Sequence, residues 1–100
     1  MKVSVHAVNF NIDRKLVDFV QEKLDKLEKY YDKVVSSDVY LKLENTSDKE
    51  NKTAEIKIHV PGDEIVVKKT GKSFEEAVDS ASSSAERMLL KRKEKIRMHP

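Results

Sequence analysis

Three histidines, His6, His59 and His99, are the side chains best suited to move a proton near neutral pH. None has a serine or carboxylate at a spacing that forces a dyad. His6 and His59 fall on the outward face of predicted strands, where a histidine is ordinarily just solvated. Cysteine is absent, which removes disulfides, thiolate metal sites and cysteine nucleophiles together. Gly62 and Gly71 stand alone, so neither belongs to a phosphate-cradling loop. The carboxylates alternate with lysines, as in ordinary surface pairing along helices. These residues predict no enzyme, no bound metal, no cofactor and no small-molecule substrate.

The cations are more informative than their total. Twenty Lys and Arg against eighteen Asp and Glu leave a formal charge of only +2, but the distribution is uneven. Between Phe74 and Glu86 the charged residues are Glu75, Glu76, Asp79 and Glu86, all acidic. From Arg87 onward come Arg87, Lys91, Arg92, Lys93, Lys95 and Arg97, with Glu94 alone against them. A helix dipole favours this polarity, but it acts over the terminal turns and does not require so many bases. A second set, Lys23, Lys26, Lys29 and Lys33, recurs at three- and four-residue steps. Should two helices carry these sets side by side, they merge into one basic surface, the footprint of phosphate binding. Lys68, Lys69 and Lys72 are placed to extend it. Tyr40 is the best aromatic for stacking, so recognition of shape and backbone is expected over base reading.

The elements that must position these residues follow from periodicity. Lys2–Val8 alternates, with Val3, Val5 and Ala7 on one side. Asp13 is a helix N-cap, and Leu16, Val20, Leu24, Leu27 and Tyr31 form one stripe on a helix of about five turns. A second strand places Val39, Leu41 and Leu43 inward. Asn45–Lys52 reads as a loop. A third strand buries Ala54, Ile56, Ile58 and Val60, and Pro61-Gly62-Asp63 turns it into a fourth, whose inward set ends at Lys69. That ending predicts a frayed or edge strand. Ser73 and Glu76 have capping-box spacing, and Phe74, Ala77, Val78, Ala81, Ala85, Met88 and Leu89 stripe the helix that follows. The order is β-α-β-β-β-α: an α+β fold in one domain spanning residues 1–100, with a four-stranded sheet and two helices on one face. The first two strands should be parallel, joined through the first helix. The last helix, about 24 residues and roughly 36 Å long, should overhang strands of about 23 Å. No apolar run is long enough for a membrane span, and no secretory signal is visible.

Three segments in sequence carry a family resemblance: Lys23-Leu24-Asp25-Lys26-Leu27-Glu28-Lys29-Tyr30-Tyr31-Asp32, Gly71–Asp79 with its Ala77-Val78-Asp79, and Arg87–Lys95. Together they resemble the short form of the ribosome hibernation promoting factors, which include the ribosome-associated inhibitor and sigma modulation proteins. The resemblance covers essentially the whole chain. It implies a domain similar to double-stranded RNA-binding domains, in the cytoplasm, bound to the small ribosomal subunit where mRNA and tRNA would lie. It implies inhibition of translation in idle ribosomes during stress or stationary phase. The implied rRNA contacts are Lys23, Lys26, Lys29 and Lys33 near the first helix and Arg87, Lys91, Arg92, Lys93 and Lys95 in the last. Glu75 stands where the family usually has tyrosine. The dimerising C-terminal domain of the long forms is not expected, so any ribosome pairing would need another factor. Two other readings compete: a generic double-stranded RNA-binding module, and a protein-interaction domain of a transcription regulator.

Overall fold

The computed structural model describes residues 1–44 and 51–98, the side chains of 96–98 excepted. The elements are β1 (Lys2–Val8), α1 (Arg14–Leu27), β2 (Ser36–Leu43), β3 (Lys52–Val60), β4 (Asp63–Gly71) and α2 (Phe74–Met98). One sheet holds the strands in the order β1-β2-β3-β4, with β1 parallel to β2 and the other pairs antiparallel. The expected architecture is therefore present. Most of the loop expected over Asn45–Lys52 lies outside the described residues. Lys52, however, already pairs with Gly71 as the first residue of β3.

The core forms between the helix stripes and one sheet face. Leu16, Val20, Leu24 and Leu27 of α1 meet Val39, Leu41, Ala54, Ile56, Ile58 and Val60 of the sheet. Ala77, Val78, Ala81, Ala85 and Leu89 of α2 complete it. The small alanines let α2 lie close over β3 and β4, while α1 packs beside it toward β1.

Local chemistry fixes each boundary. The Leu16 amide donates to Asp13 Oδ1 at 2.8 Å, the expected cap of α1. Ahead of it, Asn9 turns the chain at φ 67°, a left-handed conformation that asparagine tolerates better than most residues. Ser73 Oγ caps α2 by accepting from the Glu76 amide at 3.1 Å. The Glu76 carboxylate does not return to the Ser73 amide, as a standard box would; it accepts from Lys72, one residue earlier, at 3.2 Å. Val60 pairs with Asp63 around Pro61-Gly62, where Gly62 has φ 75°. A fixed proline φ followed by a positive glycine φ suits this two-residue reversal.

Two expectations need correction, and a third is narrowed. First, α1 stops at Leu27, short of Tyr31. The amides of Glu28, Lys29 and Tyr30 donate to carbonyls three residues back, which tightens the chain and swings Tyr31 into the core. Second, of the two alternatives for β4 the edge holds: the strand lies at the sheet edge and its pairing continues through Gly71, with Lys69 half-buried on the inward face. An inward lysine on an edge discourages further strand pairing. Third, Met88 is 41% exposed. It lies on the flank of α2 away from α1, where β4 has no neighbouring strand to extend the cover.

Candidate nucleic-acid interface

Contacts between α1 and α2 set the frame for the cations. Lys23 Nζ lies 2.7 Å from Asp79 Oδ1, and Tyr30 shares the groove between the helices with Glu86. The partners ascend together, so the helices run parallel and their C-terminal ends share one end of the molecule. Since β3 runs down to Pro61-Gly62 and Arg92 bonds Pro61, the hairpin tip is at that same end. Lys68, Lys69 and Lys72 lie near the other end of β4, beside the start of α2. They do not extend the basic end. The hairpin's tip, not its return, adjoins the cations.

Lys26, Lys29 and Lys33 are exposed at the basic end. Only Lys23 and Lys26 sit on the helix; Lys29 and Lys33 occupy the turns after it. Lys23 is the least free of the four, paired with Asp79 and placed 5.5 Å from the centre of the Phe19 ring. Lys26 lies 3.7 Å from Glu22.

Along α2 the cations divide by face. Asp79, Ser82, Ser83 and Glu86 line a groove with Lys23, Lys26, Leu27 and Tyr30, which marks the flank toward α1. At 3.6 residues per turn, Arg87, Lys91 and Lys95 form a row on the opposite flank, and all three are exposed. Lys93 falls on the α1 side and is half-buried. The two lysine sets therefore do not merge into one sheet of charge. They flank α2 on either side, with Asp79 and Glu86 between them. Glu86 raises the Tyr30 pKa above its usual value by accepting its hydrogen bond and by direct repulsion of the phenolate.

Arg92 has a separate environment. Its Nη1 donates to Asp63 Oδ2 at 3.0 Å and its Nη2 to the Pro61 carbonyl at 3.2 Å. Nε is buried without a hydrogen-bond partner. The guanidinium pKa is raised, first by hydrogen bonding with Tyr31 and further by Asp63. The Asp63 carboxyl is lowered in turn, chiefly by accepting from the Glu64 amide and then by Arg92.

The opposite sheet face gathers the two strand histidines. His6 Nε2 and His59 Nε2 lie 3.2 and 3.0 Å from the two oxygens of Asp38. His59 Nδ1 also faces Glu64 at 3.5 Å. His6 stacks on Tyr40, and Lys57 sits 5.3 Å from the centre of the Tyr40 ring. The histidines thus have partners, contrary to the reading from spacing. Strand register supplies them, because Asp38 is a diagonal neighbour of both. Tyr40, already stacked, is less open for a base than expected. His99 lies outside the described residues. Glu75 is exposed in the first turn of α2, where its charge suits the helix dipole.

Among the described residues, no cluster of histidine and carboxylate groups could hold a metal ion. Nor is any described helix long and apolar enough to cross a membrane.

Residues 3–97 match the family described as Sigma 54 modulation protein / S30EA ribosomal protein. The chain belongs to that family. It is 32% identical over 99 residues to the ribosome hibernation promoting factor of Escherichia coli, covering 99% of this chain and all of the relative. It is 30% identical over 95 residues to the factor of the same name from Pseudomonas putida, covering 95% of this chain and 89% of the relative. Among solved structures, the N-terminal domain of Thermus thermophilus Protein Y aligns with a TM-score of 0.78 at 26% identity, over 91% of this chain and 98% of that one. A ribosomal subunit interface protein from Coxiella burnetii shares the fold, with a TM-score of 0.82 at 18% identity, over 93% of this chain and 98% of that one.

Proposed function

We propose that this S30EA-family domain is a ribosome hibernation factor. It binds rRNA of the small ribosomal subunit in the cytoplasm, fills the channel used by mRNA and tRNA, and blocks translation in idle ribosomes under stress. The carrying observation is the pair of exposed cation groups on the two flanks of one long helix. Lys26, Lys29 and Lys33 lie on one side, and Arg87, Lys91 and Lys95 on the other. Each group can replace counterions on a phosphate backbone. The spacing across a helix with side chains, about 10–12 Å, suits two backbone segments rather than one. Lys23 and Lys93 are half-buried, and their role is secondary. The family membership and the names of the relatives support the same reading.

Cosedimentation of the full chain with small subunits over a salt series tests it. Replacing Arg87, Lys91 and Lys95 together with alanine should weaken binding and flatten the dependence of log K on log salt. The slope should fall by about 0.7–0.9 for each phosphate that is no longer neutralised. The Lys26, Lys29 and Lys33 triple should behave similarly, with melting temperatures near that of the parent. Unchanged cosedimentation of both triples refutes the assignment. Displacement from the subunit by free duplex RNA would instead favour a generic duplex binder.

A further inference from the structure

We infer that Arg92, although it lies within the most basic run of the chain, is a positioning residue that fixes the direction of the α2 overhang. The inference rests on the rRNA-binding reading above and assigns this cation a different task from its neighbours.

Arg92 is badly placed to hold a phosphate. A guanidinium grips an oxyanion in a bidentate manner through its two Nη groups, or through one Nη and Nε. The first edge is occupied here, with Nη1 on Asp63 and Nη2 on the Pro61 carbonyl. The second edge needs Nε, which is buried. The side chain is only 25% exposed. Lys91 and Lys95, one residue before and three after, point outward.

The same contacts place Arg92 where the helix needs an anchor. Among the described side chains Leu89 is the last buried one of α2, and the helix continues to Met98. Arg92 follows Leu89 by three residues, so it projects from the same side of the helix. It is tied to the β3–β4 hairpin tip through the Asp63 carboxylate and the Pro61 carbonyl. The hairpin tip and the overhanging segment are therefore joined through one side chain, just beyond the last buried residue described in α2. An interface that needs cations on both flanks of α2 depends on the axial rotation and direction of this segment. A swing or roll of the overhang would withdraw one group as it advanced the other.

The absence of native cysteine allows clean spin labelling. Labels at exposed Lys15 and Glu94, each changed to cysteine, report the distance from α1 to the overhang by pulsed electron resonance. Arg92→Ala should broaden that distance distribution and weaken small-subunit binding about tenfold, with the salt slope kept within about 0.3 of the parent. Asp63→Ala should broaden and weaken in the same direction to a smaller extent, although it removes a negative charge. Lys91→Ala should flatten the salt slope without broadening. Arg92→Lys, which can still pair with Asp63, should recover part of the narrow distribution. The inference is overturned if Arg92→Ala flattens the slope like Lys91→Ala and leaves the distribution narrow. It is also overturned if Asp63→Ala tightens binding. Should the parent fail to bind small subunits, the functional reading falls, while the distance measurement still decides whether Arg92 anchors the helix.

Discussion

Lys23 and Asp79, one on each helix, pair at 2.7 Å across the groove between α1 and α2. The pair is partly exposed, with Asp79 more open than Lys23. Its value to the fold is accordingly small, but it neutralises a cation on the face proposed to meet RNA. Asp79→Asn should cost less than about 1 kcal/mol in urea unfolding. It should also tighten binding to small subunits at low salt, because Lys23 is released and one repelling charge is removed. Weaker binding at every salt concentration would show that Asp79 is needed to orient Lys23.

The two halves of the α2 cap are separable. Ser73→Ala should lower stability by about 0.5–2 kcal/mol, because the Glu76 amide loses its acceptor. Glu76→Ala should cost less, since the Lys72 amide lies outside the helix and is near water. Chemical denaturation of both variants compares them directly; equal losses would mean that the Glu76 carboxylate serves the helix more closely than its hydrogen bond suggests.

Gly71 and Gly62 should resist alanine for different reasons. A Cβ on Gly71 would stand 3.2 Å from the Ala77 backbone nitrogen and 3.2 Å from Glu76 Cγ. The capped first turn cannot easily give way, so Gly71→Ala should cost about 1–3 kcal/mol by overpacking. At Gly62 there is space but φ is 75°, and alanine there should cost about 1–2 kcal/mol by backbone strain. A second change, Glu76→Ala, should partly relieve Gly71→Ala by removing the side-chain clash and should do nothing for Gly62→Ala. Thermal melts of the four variants test this.

Acid should loosen the open sheet face through Asp38. Its carboxyl is held below the usual range by hydrogen bonds from His59 first and His6 second. A depressed carboxyl contributes stability above its unfolded value, near 3.9, and that contribution is lost as pH falls through the folded value. Asp38→Asn should therefore lower stability above about pH 4 and flatten its decline below that. Urea midpoints from about pH 2.5 to 6 would show it; parallel curves for parent and variant would mean that the cluster contributes nothing to acid sensitivity.

Much of this protein was legible from local pattern. Strand alternation named Ala54, Ile56, Ile58 and Val60 as core, and each is buried. Asp13 and Ser73 announced their helices because capping depends on residues within one turn. The same locality showed that the cations gather in two stretches. Local pattern was silent where the answer required a partner from elsewhere. Lys29 and Lys33 kept helical spacing although the helix had ended, since spacing alone does not report a tightened turn. His6 and His59 acquired Asp38 only when three strands aligned in register. Arg92 is one more base in a basic run until the hairpin folds back to meet it. Sequence by itself determined the order of elements, the buried stripes and the stock of positive charge, all of which follow from periodicity and short-range hydrogen bonding. Tertiary structure decided which cations remain free, because a charge is available to RNA only if no residue distant in sequence has already paired with it.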